Sequence, residues 1–329
     1  MTDQGLSEAS ACFVPQRALG TVDQSYYLIG VGASAGGLDA IKQLIAQLPA
    51  DFPHSFVIVQ HISPDYKSLM SEILGRETKL AVKEITDNME VHPGHIYLIP
   101  PKANIVIQGT LQDSSPAKDA SADDNGFSGL RFSLVSPSPR PKLNLPTDIF
   151  FQSLAEAVGD RSIAIILSGT GSDGSRGLRA VKDRDGFVLV QDPMTASFDG
   201  MPRAALATKI VDVVAPPDAM FSEIKRYFEM RESGIINAEQ LFKDEKQFSE
   251  LLTLVSRIAE IDFSQYKEPT LKRRIARRMM LCNCVSAEKY LDYVKENPAE
   301  LSVLHREFLV GVTNFFRDLP MWRHLEEAV

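Results

Sequence analysis

The chain has 329 residues, 44% of them hydrophobic and 24% charged, enough for one large domain with a smaller one, or for two, and neither disordered nor fibrous overall. Its net charge of −8 argues against general nucleic-acid binding, but the charge is uneven: residues 246–329 hold 13 Lys+Arg and 12 Asp+Glu, the other 245 hold 22 and 31. The N-terminus is acidic where a signal peptide is basic, no apolar run approaches the roughly 18 residues of a spanning helix, and Cys12, Cys282 and Cys284 form neither a disulfide framework nor a four-ligand zinc site. A reducing, cytoplasmic setting without a transmembrane segment or a metal is therefore expected.

Residues 1–24 are polar and aperiodic and read as a disordered tail. YYLIGVG then forms a short apolar run ending in glycines, as a buried parallel strand would. Leu38, Ile41, Leu44, Ile45 and Leu48 recur at helical spacing, SFVIVQH reads as a second buried strand, and LMSEILGRE belongs to a second helix. This β-α-β alternation predicts a doubly wound, mainly parallel sheet covered by helices on both faces.

HPGHIYLIPPKANIVIQG and GLRFSLVSP break the pattern and predict an antiparallel edge hairpin, with Pro100 and Pro101 at an edge or bend. The Ser/Asp/Ala-rich stretch between them reads as a flexible loop. Alternation resumes through TDIFFQSLAEAVG, SIAIILSG, GLRAVKDRDG, FVLVQD and PRAALAT, and DAMFSEIKRYFEMRES closes the region as a helix. From about Glu239 the pattern is wholly helical. The expected organisation is thus an α/β domain over 25–234, a linker over 235–245 and a small all-α domain over 246–329, with the boundary near Gly234.

Gly32-Ala33-Ser34-Ala35-Gly36-Gly37 stands directly between a strand and a helix and fits G-x-S-x-G, a turn that holds a serine hydroxyl above a sheet edge. By itself the match describes a structural turn serine as well as it does a nucleophile. Dinucleotide binding is the weaker reading, because the third glycine of G-x-G-x-x-G falls one place late, at Gly36. The second strand, moreover, ends in Val59-Gln60-His61 where an acid would hold the ribose.

His61 lies 27 residues after Ser34, at the end of the next predicted strand, so nucleophile and general base can share one crevice. A third strand leads into Ser168-Gly169-Thr170-Gly171-Ser172-Asp173-Gly174, whose aspartate can orient an imidazole, cap the following helix, or do both. The order Ser, His, Asp differs from the Ser, Asp, His of α/β-hydrolases, which points to a serine hydrolase on another doubly wound sheet.

Together with Gly200-Met201-Pro202, these segments resemble the bacterial chemotaxis methylesterase family, CheB, over roughly residues 25–220. The resemblance implies a cofactor-free serine esterase that removes γ-methyl esters from chemoreceptor glutamates, releasing methanol, and that can also deamidate receptor glutamines. It implies Ser34 as nucleophile, His61 as base, Asp173 as orienting acid and the backbones of Ala35 and Thr170 as oxyanion donors. Methionine is common in the family where Thr170 stands, a change that a backbone donor tolerates. A 24-residue tail is too short for the family's usual N-terminal receiver domain, so control by an attached receiver is not expected.

Thr270 to Leu281 carries an apolar stripe of Leu271, Ile275 and Met279, and five positive charges, Lys272, Arg273, Arg274, Arg277 and Arg278, with no acid between Pro269 and Ala287. So unbalanced a run points to an acidic partner; no aromatic interleaving supports DNA. This helix, Ile261–Lys267 and Gly311–Asp318 resemble the N-terminal helical domain of the chemotaxis receptor methyltransferase, CheR. The resemblance implies docking of the basic helix on a chemoreceptor, and S-adenosylmethionine contacts at Thr313 and Arg317. That cofactor is held mainly by a later α/β domain, and the sequence ends at Val329 before one, so docking without methyl transfer is expected. A non-catalytic scaffold that docks on receptors through the basic helix is the alternative to an esterase.

Overall fold

In a strand buried on both faces every position is apolar, and successive side chains enter opposite cores. In β1 (Leu28–Ala33), Leu28 joins the core on one side of the sheet while Ile29, Val31 and Ala33 join the core on the other. The computed structural model describes residues 26–60, 69–110, 127, 129–136, 144–232, 242, 245–284 and 286–309. The remaining strands of the main sheet are β2 (Ser55–Gln60), β3 (Ala81–Glu84), β4 (His95–Leu98), β7 (Ser162–Ile166), β8 (Phe187–Gln191) and β9 (Val213–Ala215). All run parallel, in the order β3-β4-β2-β1-β7-β8-β9.

Helices α1 (Gly37–Ile45), α2 (Met70–Glu77) and α6 (Pro217–Glu232) share the core on one face of the sheet, through Ile41, Leu44, Leu74, Met220 and Ile224. Helices α3 (Pro146–Val158), α4 (Gly177–Asp183) and α5 (Gly200–Ala207) cover the other, through Phe150, Phe151, Leu178, Val181 and Met201. The fit beneath α3 is tight: a methyl at Gly30 would stand 2.8 Å from the Phe150 and Phe151 rings. The expected doubly wound architecture is the observed one.

The predicted hairpin divides differently. The HIYL segment is β4 of the parallel sheet, whereas β5 (Asn104–Gln108) pairs antiparallel with β6 (Arg131–Val135) in a separate two-stranded sheet. That hairpin lies on α3, where the Ile107 N–H donates to Ser153 Oγ at 3.1 Å, rather than at the edge of the main sheet. Pro100 and Pro101 fall in the bend between the two sheets. The edge strands β3 and β9 are only four and three residues long, too short for periodicity to reveal. The tail, most of the Ser/Asp/Ala-rich loop and the boundary near Gly234 lie outside the described residues.

Beyond that boundary stand α7 (Glu245–Ala259), α8 (Glu268–Leu281), α9 (Ala287–Glu296) and α10 (Pro298–Leu309). Leu271, Ile275 and Met279, the apolar stripe of α8, pack with Phe263, Tyr290 and Phe308 in the helices' own core, while Met280 joins the core of the α/β region. Arg277, on the same helix, is driven into that region. Its guanidinium donates to Asp212 Oδ1 (3.0 Å), Asp212 Oδ2, the Asp185 carbonyl (3.1 Å) and the Gly186 carbonyl (2.6 Å). Lys182 donates to the same Asp212 at 2.8 Å and pairs with Glu307 of α10 at 2.7 Å.

Two cations and two carboxylates thus close a neutral quartet at the junction, with Asp212 fully buried. Burial by itself would raise the Asp212 carboxyl, but the Arg277 and Lys182 charges beside it hold it below its ordinary range. A depressed carboxylate contributes stability above its unfolded value, near pH 4, and loses it as pH falls through the lower folded value. Arg277→Met should therefore destabilise the chain by about 3–5 kcal/mol at neutral pH, as loss of one buried ionic partner typically does. The difference from the parent should shrink below about pH 4. Urea midpoints measured against pH check both, and equal midpoints at pH 7 would show that the quartet does not hold the junction.

Candidate active site

The strand order reverses direction at β1. From there the chain adds β2 beside β1, passes out to the edge strand β3 and fills the gap between them with β4, then returns to β7 on the other side of β1 and continues to β8 and β9. The crevice between the carboxyl ends of β1 and β7 is a topological switch point, where open α/β sheets bind ligands. Ser34 follows β1 there, and the 168–174 loop follows β7.

Backbone bonds tie the two together. The Ser34 N–H donates to the Ser168 carbonyl at 3.0 Å, and the Leu167 N–H to the Gly32 carbonyl at 2.9 Å, so the ladder between β1 and β7 continues into both loops. The Gly37 N–H closes the serine turn on the Ser34 carbonyl at 2.9 Å. Gly36 takes φ +69°, and a Cβ there would stand 2.9 Å from Ser168 Oγ, so conformation and space both require glycine. At Gly169 an added Cβ would meet Met201 Sδ and stand 3.0 Å from Ser34 Cβ, which places this loop against the serine.

Ser34 is half-buried and Thr170 is exposed. Among the described residues, neither the Ala35 nor the Thr170 N–H has an intramolecular acceptor. Gln60, one residue before His61, is the register partner of Ala33, one residue before Ser34, and its side chain donates to the Ser34 carbonyl at 3.4 Å. His61 itself lies outside the described residues, as do Thr313 and Arg317.

The half-buried Asp173 carboxylate accepts the Thr147 N–H (Oδ2, 3.0 Å) and the Asp148 N–H (Oδ1, 3.0 Å) at the start of α3. Asp148 returns the arrangement, its Oδ1 accepting the Arg176 N–H (2.9 Å) and Gly177 N–H (2.8 Å) at the start of α4. The two aspartates cross-cap each other's helices, using amide donors that a helix start leaves unpaired. Burial, opposed by these backbone bonds, raises the Asp148 carboxyl above its ordinary range, and the Asp173 charge adds to the rise. Sequence spacing suggested that Asp173 caps the helix after its own loop. The helix it caps is α3, before it in the chain.

Two supporting residues had no assigned role in the sequence. Ser168 Oγ donates to the Ala35 carbonyl (2.9 Å) and accepts the Phe198 N–H (3.0 Å), and its N–H donates to Gln191 Oε1 (2.8 Å). Gln191 is a buried polar residue ending the apolar run of β8, the same signal that Ser34 and His61 give at their own strands. At the start of α5, the Met201 N–H donates to the Gly169 carbonyl at 2.9 Å, so Gly200-Met201-Pro202 braces the 168–174 loop.

The basic helix differs from its expected open face. Arg277 is buried in the quartet, Arg278 donates to Glu300 Oε1 and Oε2 at 2.8 Å each, and Arg274 donates to the Glu307 carbonyl. Lys272 pairs with Glu268 at 2.5 Å and Arg273 with Asp185 at 3.3 Å. Apart from Glu268 in its own first turn, the acids that meet the run come from other elements. All five charges have partners within the chain.

A doubly wound sheet with a glycine-bounded serine turn at its switch point defines an α/β protein that carries its candidate site at the carboxyl edge of a parallel sheet. Residues 29–224 match the family described as CheB methylesterase, and the chain belongs to that family. Residues 246–309 match the family described as CheR methyltransferase, all-alpha domain. The chain is 28% identical to the Thermotoga maritima CheB methylesterase catalytic domain, whose crystal structure superposes with a TM-score of 0.53 over 60% of this chain and 97% of that one. A Pseudomonas aeruginosa protein-glutamate methylesterase/protein-glutamine glutaminase is 32% identical over 63% of this chain and 54% of its own length. An uncharacterized 104.1 kDa protein from the hypE 3' region of Rhodobacter capsulatus is 33% identical over 79% of this chain and 27% of its own length. This chain thus spans about half of the Pseudomonas protein and about a quarter of the Rhodobacter one. Among the described residues no helix is long and apolar enough to cross a membrane.

The cross-capping pair can be tested independently of any activity. Asp173→Ala removes both acceptors at the start of α3 and should lower stability by about 1–2 kcal/mol, the usual worth of a helix cap. Asp148→Ala should do the same through α4. Urea denaturation followed by circular dichroism measures each, and an unchanged midpoint for Asp173→Ala would remove the capping role.

Proposed function

We propose that the chain is a cytoplasmic protein-glutamate methylesterase, active on γ-methyl esters of methyl-accepting chemoreceptors and able to deamidate receptor glutamines. The observation that carries this reading is Ser34 at the switch point, its turn bonded to Ser168, with Gln60 in register beside it and His61 the next residue in the chain. Family membership supports the substrate class.

In this reading Ser34 Oγ attacks the ester carbonyl carbon while His61 takes its proton. The Ala35 and Thr170 N–H groups receive the charge that develops on the carbonyl oxygen. Methanol leaves with the proton returned by His61, and a water that His61 deprotonates then attacks the acyl-serine, releasing glutamate and restoring Ser34. Asp173 holds the imidazole orientation. Its two backbone donors lock the carboxylate and leave each oxygen with a further lone pair. The start of α1 behind Ala35 adds its dipole to the oxyanion site. Division into an α/β esterase domain over 25–234 and a helical domain over 246–329 follows the same reading. Thr313 and Arg317 would serve S-adenosylmethionine only beside a further α/β domain.

Methyl-labelled receptor incubated with the chain should release methanol. Ser34→Ala and His61→Gln should each lower the rate on the order of 10⁴-fold or more, as loss of a member of a catalytic triad does. Turnover unchanged in Ser34→Ala would sink the assignment. No turnover in the parent chain would favour a receptor-binding scaffold instead.

A further inference from the structure

The charge that α8 turns inward reappears on the open side of the same junction. A cleft of about 2060 Å³ runs between α3, α4 and the α5–β9 connection on one wall and α8 and α10 on the other. Nine Lys and Arg side chains line it against four Asp and Glu. Three of the nine are committed within the chain: Lys182 to Asp212 and Glu307, Arg274 to the Glu307 carbonyl, and Arg278 to Glu300. The other six, Arg176, Arg179, Arg184, Lys209, Lys267 and Arg306, are exposed. They have no hydrogen-bond or ion-pair partner through their side chains among the described residues, although Arg176 lies within electrostatic reach of Asp148. Four of them stand on the α/β wall and two on the helical wall. Half-buried Leu145, Ile149, Leu206 and Val303 form apolar strips between the charges.

We propose that this cleft binds an acidic amphipathic α-helix of a protein partner. Unpaired like charges lining a groove between low-dielectric walls reinforce one another's field, so the cleft attracts an anion although the whole chain is net negative. The apolar strips need a ligand with one apolar face. A helix with its side chains is about 10 Å across, and about four turns of one fill this volume. A nucleic-acid duplex has no apolar face to offer, and Asp148, Glu156, Asp183 and Glu307 interrupt any continuous phosphate track.

At one end the cleft reaches Asp148 and Arg176, which adjoin the Asp173 turn. A helix lying in it would therefore lead to the candidate active site. That the bound helix is the substrate's own rests on the esterase reading above. Receptor recognition then falls to the cleft rather than to the internally paired face of α8.

The test uses the full chain carrying Ser34→Ala, so that binding is read without turnover. The probe is a fluorescent helical peptide of about 20 residues, with a glutamate face and a leucine stripe, followed by anisotropy at low salt. Arg179→Glu with Arg184→Glu and Lys209→Glu should weaken binding about tenfold or more, and Lys267→Glu with Arg306→Glu should weaken it clearly on the other wall. Affinity should fall with added salt, and the peptide with lysine for glutamate should not bind. All five substituted positions are exposed, and circular dichroism verifies that the variants fold. Parental affinity in either variant would overturn the proposal, as would displacement by duplex DNA at equal charge. Absence of esterase turnover in the parent leaves a positive binding result standing, so the two readings fail separately.

Discussion

The hydrogen bond from the Ser34 amide to the Ser168 carbonyl is the constraint on which the site depends. It extends the parallel ladder of β1 and β7 one step past the end of the sheet, so two loops 134 residues apart in sequence share one rigid platform. Parallel neighbours end on the same edge, and a reversal of strand order leaves a crevice between them that no crossover covers. Position and orientation of the serine are therefore properties of the sheet. The Gly36 turn and the bonds from Ser168 Oγ limit how far its backbone can move from that position.

The aspartate of the 168–174 loop, which the proposed mechanism sets beside His61, has a structural role that the hydrogen bonds define. By accepting two amides at the start of α3, Asp173 fastens the loop to a helix that packs on β1 from below, where Gly30 and Gly32 make room for it. Asp148 makes the reciprocal bond to α4. One carboxylate can cap a helix and still face an imidazole, because each oxygen accepts more than one hydrogen bond. In the proposed mechanism, stability and preorganisation of the site draw on the same groups.

Charge patterning along one helix misleads when the counter-charges come from elsewhere. Read alone, α8 carries five cations against the single acid Glu268 in its first turn; folded, it also meets Asp212, Asp185, Glu300 and Glu307 from three other segments. The buried quartet compensates the desolvation of its members only by assembling all of them, which makes it a specific fastener between the two regions. The unpaired basic side chains come instead from α4 and the turns on either side of it, from the turn after α5, and from α10 and the turn before α8. No window of sequence shows them as a patch.

Local signals were enough for the alternation of apolar strands and amphipathic helices, because burial on both faces writes itself into consecutive residues. Ser34, His61 and Asp173 also stand out in the sequence, because a hydroxyl, imidazole or carboxylate interrupts apolar or glycine-rich surroundings. Short edge strands such as β3 and β9 carry too few residues for a period, and the assignment of β4 to the parallel sheet depends on its neighbours β2 and β3. Gln191, a buried polar residue ending the apolar run of β8, carries the same signal as the others. By itself, then, the sequence determined the fold class and the family, and it placed Ser34 at the end of a buried strand. Tertiary structure alone decided which helix Asp173 caps, where the charges of α8 are spent and where an open basic cleft lies, since each depends on partners brought together across the chain.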